Sequence, residues 1–125
     1  IYIDRGDHQS ALNSLEHIRK RLAQTNPTVI MFPEGTRSAT GELQRFKKGA
    51  FVLALQARAD VVPVAIAGSG DVMNKSSMRI YPGTIRVRFG EPILVDKLTM
   101  ENRDQLIRDT REALVDLLAV DSESN

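Results

Sequence analysis

The chain has 125 residues, 42% of them hydrophobic, which suits one folded domain with its own core. Its 17 Lys plus Arg stand against 16 Asp plus Glu, so no global field recruits nucleic acid and any basic partner site must be local. The lack of Cys excludes disulfides, thiolate metal sites and a Cys nucleophile, and two His without metal spacing argue against a bound metal.

Ile1 to Ile3 reads as the end of a strand. From Ser10 to Gln24 the apolar residues Leu12, Leu15, Ile18 and Leu22 recur at helical spacing, and Asn26-Pro27 ends that pattern. Thr28 to Phe32 is a continuous run rich in β-formers, as expected of a buried parallel strand. Lys48 to Arg58 reads as an apolar helix. Val61 to Ile66 is a second buried strand, with Pro63 pointing to a sheet margin or a bulge, and Gly68-Ser69-Gly70 is a loop.

Met78 to Tyr81, the turn Pro82-Gly83 and Ile85 to Phe89 predict a hairpin, with Ile85, Val87 and Phe89 inward and Arg86 and Arg88 outward. The stretch from about Met100 to Val120 is an amphipathic helix, with a frayed tail over Asp121 to Asn125. Its solvent side mixes five acids with Arg103, Arg108 and Arg111, which disfavours an anionic lipid surface, so its apolar stripe is expected to pack on the sheet. The pattern predicts an α/β fold, a mostly parallel sheet flanked by helices, with the hairpin near residues 78–89 and the C-terminal helix added. No secretory leader and no apolar run near the roughly 18 residues of a membrane span is expected.

The stretch with chemistry is Phe32-Pro33-Glu34-Gly35-Thr36-Arg37-Ser38. Pro33 has no N–H for a sheet ladder and stops the strand, and Gly35 permits backbone geometry or ligand approach that a Cβ would block. Arg37 offers a planar fork suited to phosphate, with Thr36, Ser38 and free amides as further donors. Glu, Gly, amides, hydroxyls and a guanidinium in one turn are the equipment of an anion site.

This heptapeptide resembles the third sequence block of the glycerolipid acyltransferases, above all those acting on 1-acylglycerol-3-phosphate. Four further segments agree in order. Ile1-Tyr2-Ile3-Asp4-Arg5 is similar to the tail of the second block, Phe46-Lys47-Lys48-Gly49-Ala50-Phe51 to the basic segment after the third, Val62-Pro63-Val64-Ala65-Ile66 to the fourth, and Phe89-Gly90-Glu91-Pro92-Ile93 to a late Gly-x-Pro-Ile turn.

The resemblance implies that residues 1–120 are the C-terminal part of a single acyltransferase domain, and that its catalytic His-x-x-x-x-Asp lies upstream of Ile1, so that this stretch by itself is inactive. Asp7-His8-Gln9-Ser10 imitates that block, but the position five after His8 is Asn13 and His8 follows Arg5, so His8 is read as a polar lead-in to a helix. By the same resemblance Arg5, Glu34, Gly35, Thr36 and Arg37 form the substrate phosphate site, with Ser38, Lys47 and Lys48 as further candidates.

The implied reaction moves a fatty acyl group from acyl-CoA or acyl-carrier protein to the free hydroxyl of a lysophosphatidate-like acceptor, forming phosphatidic acid without a cofactor. Membrane association on the cytoplasmic side would come through residues before Ile1. A different acceptor, such as glycerol-3-phosphate or another lysophospholipid, and a non-catalytic phospholipid- or anion-binding module are the rival readings.

Overall fold

The computed structural model describes residues 8–25, 27–73, 75–76 and 79–122. Helix α1 spans His8–Thr25, two residues before and one after the predicted limits. Ile18 is its buried anchor, while Glu16 on the exposed side receives Arg19 through two hydrogen bonds of 2.7 and 2.8 Å. The Thr25 hydroxyl donates back to the Arg21 carbonyl at the last turn, and Pro27 follows directly after position 26.

Residues 27–32 belong to no strand or helix, and Ile30 and Phe32 are 82% and 72% exposed. The expected buried parallel strand is thus not seen, because a strand requires a neighbour to take its N–H and C=O groups and none of the described residues pairs with this segment in a sheet.

Helix α2 spans Gly49–Ala57 and buries Phe51, Leu53, Ala54 and Leu55. It ends through Arg58 in the left-handed region (φ 54°), whose N–H donates to Leu55 while that of Ala59 donates to Ala54 at 3.0 Å. The chain is then pinned to residues 95–96 by the Arg58 guanidinium on the Asp96 carbonyl and by Asp60 accepting from the Val95 amide.

Strand β1 is Val64–Ala67, the short helix α3 is Ser69–Val72 and strand β2 is Arg86–Phe89. β1 and β2 pair antiparallel, Val64 opposite Phe89 and Ala67 opposite Arg86. Beyond Val64 the pairing resumes at Val61 and Ile93, so three steps on one side answer four on the other. The second side therefore bulges around Gly90, which donates to the Pro63 carbonyl. Pro63, with no N–H of its own, sits where the ladder is interrupted, in line with the margin or bulge it suggests.

The hairpin expectation needs correction. β2 is a strand, but its partner is β1, and residues 79–81 are not a strand; instead the Tyr81 amide donates to the Val72 carbonyl of α3. Gly83 of the expected turn lies against α3, where a Cβ would meet Val72 at 2.9 Å. Ser77 and Met78 lie outside the described residues.

The alternation along β2 is also inverted. Val87 and Phe89 are 50% and 72% exposed, while the Arg88 guanidinium reaches the Leu117 carbonyl across the helix-covered side. Ala65, opposite Arg88 and 3% exposed, shows that the helix packs on this face. Val64, Ile66, Val87 and Phe89 share the other face, which no described element covers.

A 3₁₀ turn at Met100–Asn102 leads into helix α4, Arg103–Ser122. It is opened by Thr99, whose hydroxyl accepts from the Glu101 amide and whose own amide donates to Asn102. The helix continues two residues past the expected end; the rest of the predicted frayed tail, 123–125, lies outside the described residues. Leu106, Thr110 and Leu114 form its buried stripe, and Thr110 satisfies its hydroxyl on the Leu106 carbonyl at 2.7 Å. Leu106 and Leu114 join Phe46, Phe51, Leu55, Ala65 and Val95 in the core, so the apolar side of α4 is packed on α2 and β1 as its pattern predicts.

Candidate functional site

The site begins at Pro33, after the unpaired segment 27–32. The Gly35 amide donates to the Phe32 carbonyl at 3.1 Å, closing a four-residue turn with Pro33 and Glu34 at its centre. Glu34 is not among the residues with positive φ, so the turn is not type II; Pro second and Gly fourth suit type I. Gly35 itself has φ 74°, the left-handed region that a side chain disfavours, and the chain leaves the turn through it toward Thr36 and Arg37.

A second segment holds this turn from the side. The Glu34 carboxylate accepts the Gln44 amide at 2.7 Å, and the Lys47 amide donates to the Pro33 carbonyl at 2.7 Å. The Lys47 stem passes over Gly35, whose built Cβ position lies 3.5 Å from Lys47 Cγ. Glu34 therefore fixes the loop.

Arg37 and Thr36 are exposed, and neither their side chains nor their backbone N–H groups have a partner among the described residues. Two amides and a guanidinium at one turn can receive an anion without breaking existing bonds. Ser38 is occupied differently, its hydroxyl lying 3.4 Å from that of Thr40 and accepting the Thr40 amide. Arg5, expected in the same phosphate site, lies outside the described residues; His8 opens α1.

The basic pair Lys47-Lys48 is split. Lys47 lies on the Glu34–Arg37 turn, whereas Lys48 lines a separate open groove of about 400 Å³ with Arg45, Phe46, Asp104, Ile107, Arg108 and Arg111. Asp104, Ile107, Arg108 and Arg111 are spaced i, i+3, i+4, i+7 and share one edge of α4. Arg111 is fixed there by hydrogen bonds to the carbonyls of Gln44 (2.8 Å) and Leu43 (3.0 Å), with its guanidinium 5.5 Å over the Phe46 ring. The Asp104 carboxyl is held below the ordinary Asp range, first by the Arg103 hydrogen bond, with Arg103, Lys48 and Arg108 adding their fields.

Sequence reasoning did not single out Arg45, Arg108 and Arg111 as a set. The signal available was the three-residue spacing of Arg108 and Arg111; what it lacked was the packing that turns this edge of α4 toward residues 43–48.

The described residues form an antiparallel strand pair packed against helices, with the exposed Thr36 and Arg37 donors on a braced turn; the class of protein is given by the comparisons with known proteins. The sequence profile of the family described as Acyltransferase matches residues 1–67, and the chain belongs to that family. It is 35% identical over 116 residues to the 1-acyl-sn-glycerol-3-phosphate acyltransferase of Cocos nucifera, covering 93% of this chain and 38% of that protein. It is 31% identical to the 1-acyl-sn-glycerol-3-phosphate acyltransferase alpha of Mus musculus, covering 92% of this chain and 41% of that protein.

The crystal structure of the 1-acyl-sn-glycerophosphate (LPA) acyltransferase PlsC from Thermotoga maritima superposes with a TM-score of 0.73 at 29% identity, over 82% of this chain and 43% of that one. The chain thus spans roughly two fifths of the length of these relatives.

Proposed function

We propose that this protein is a glycerolipid O-acyltransferase that esterifies the free hydroxyl of 1-acylglycerol-3-phosphate and so makes phosphatidic acid for phospholipid biosynthesis. The observation that carries this reading is the turn at Glu34–Arg37, built and braced yet with the Thr36 and Arg37 donors unspent, in a chain whose relatives bear that name. The acceptor's phosphate is held by the Arg37 guanidinium and the loop amides, with Lys47 beside them and Arg5 as a further cation. Glu34 keeps the loop in place through Gln44 rather than touching the dianion, which its own charge would repel.

Holding the phosphate fixes the hydroxyl near a base, so part of the rate is positional. The hydroxyl oxygen attacks the thioester carbonyl of acyl-CoA or acyl-carrier protein and gives its proton to the base. The C–S bond breaks, and the thiolate leaves and is protonated. The base and its orienting carboxylate are assigned to a His-x-x-x-x-Asp block preceding Ile1, and the Thr28–Phe32 segment to a parallel sheet continued by the same region. Association with the cytoplasmic face of a membrane is assigned to that region too; no helix among the described residues is long and apolar enough to cross a membrane.

Incubating the full-length protein with lysophosphatidate and acyl-CoA or acyl-carrier protein, and measuring phosphatidic acid, tests the reading. Turnover only with glycerol-3-phosphate or another lysophospholipid would replace the acceptor; binding of lysophosphatidate without turnover would make the protein an anion-binding module.

A further inference from the structure

The groove between residues 45–48 and α4 is not part of the Glu34–Arg37 turn, yet it gathers four cations, Arg45, Lys48, Arg108 and Arg111, around one carboxylate, Asp104. That carboxylate is already paired with Arg103 at 3.0 Å. Arg111 spends its donors on two backbone carbonyls and is a fixed part of the wall. The side chains of Arg45, Lys48 and Arg108 are exposed and make no hydrogen bond or ion pair among the described residues; Asp104, already paired with Arg103, lies in the field of Lys48 and Arg108 and offsets only part of the groove's positive charge. Phe46 and Ile107 supply its apolar lining. A concave volume of about 400 Å³ lies within the range of small-molecule sites.

We infer that this groove is a second phosphate-binding site, which takes the phosphate groups of a soluble nucleotide-type carrier such as that of a coenzyme A thioester. The inference rests on the acyltransferase reading, in which the donor brings its own phosphates besides that of the acceptor. Two features favour a small soluble ligand over a lipid surface. A phosphate-bearing group that enters the groove finds Arg45, Lys48 and Arg108 in its lining. A planar anionic surface pressed on the Arg108 edge would also press on Glu112 one turn further and on Glu101 before the helix, both exposed.

The two sites are joined by one strip of chain. Gln44 accepts Arg111 through its carbonyl and donates its amide to Glu34, and Lys47 and Lys48 point to the separate sites from adjacent positions. Donor and acceptor phosphates would therefore be registered by residues 43–48.

The test is calorimetric titration of the full-length protein with coenzyme A, as wild type and as Arg45→Gln/Arg108→Gln, two exposed positions at which melting should be retained. The double substitution should weaken coenzyme A binding at least about tenfold, as expected for losing charge-assisted hydrogen bonds, and raise the donor KM while the lysophosphatidate KM stays within about twofold. Equal coenzyme A binding by both proteins, or none by the wild type, overturns the inference. So does wild-type sedimentation with phosphatidylglycerol vesicles that the double substitution abolishes while coenzyme A binding is untouched, which makes the groove a headgroup site. Calorimetry needs no turnover, so absence of acyl transfer with intact, substitution-sensitive coenzyme A binding would count against the proposed reaction and not against the groove.

Discussion

Arg37 and Lys47 show how much at the residue scale depends on which donors are already spent. Arg37 is exposed and unpartnered among the described residues, so its removal costs the fold little and the acceptor much. Arg37→Ala in the full-length protein should lower kcat/KM for lysophosphatidate by roughly ten- to hundredfold, the equivalent of one or two charge-assisted hydrogen bonds. The melting temperature should move by less than about 2 °C. Arg37→Lys should recover only part of the loss, because a point charge does not reproduce the fork. A large fall in melting temperature with normal acceptor kinetics would mark Arg37 as a structural ion-pair residue.

Gly68 is the opposite case. Its φ of 80° and the Thr84 carbonyl lying where a Cβ would stand make Gly68→Ala destabilising by about 2–4 kcal/mol in urea titration. An unchanged midpoint would show that the loop between β1 and α3 shifts freely.

At the scale of elements, α4 is the member whose burial the sequence announced and the structure keeps. Its apolar periodicity selects Leu106 and Leu114, and both are in the core beside Val95 and Phe51. Leu106, fully buried, should cost about 2–5 kcal/mol when cut to Ala, with no compensating collapse expected between α2 and β1. A cost below about 1 kcal/mol would mean that α4 is loosely docked. The β elements were less legible for a physical reason. Alternation in Ile85 to Phe89 says that two faces differ, but the face that is buried depends on what covers it. Here α4 covers the face of Ala65 and Arg88, and Arg88 is accommodated because its guanidinium reaches the Leu117 carbonyl. Pro82-Gly83 suggested a local hairpin, yet β2 pairs with β1 across α3, a longer-range choice that turn chemistry alone does not encode. The Pro63 signal did carry: pairing is interrupted there and resumes with a bulge at Gly90, within the Phe89-Gly90-Glu91-Pro92-Ile93 segment.

Across the whole molecule, the Glu34–Arg37 turn was readable because Pro, Gly and Arg each impose local geometry or chemistry, and the observed turn follows those constraints. The basic groove was not, since Arg45 and Arg111 are 66 positions apart in sequence and only the packing of α4 brings them to one wall. The Thr28 to Phe32 run was read as a buried parallel strand, yet it forms no strand and is mostly exposed, because strand pairing and burial depend on neighbours that the described residues do not supply.

The most direct measurement of the central claim is acyl transfer by the full-length protein to isotopically labelled 1-acylglycerol-3-phosphate, with labelled phosphatidic acid read by mass spectrometry for wild type and Arg37→Ala. The account predicts labelled phosphatidic acid from the wild type and a loss in the variant that rising acceptor concentration partly restores. Wild-type turnover of this acceptor that is indifferent to Arg37→Ala, or no labelled product with any acyl thioester donor, would contradict it.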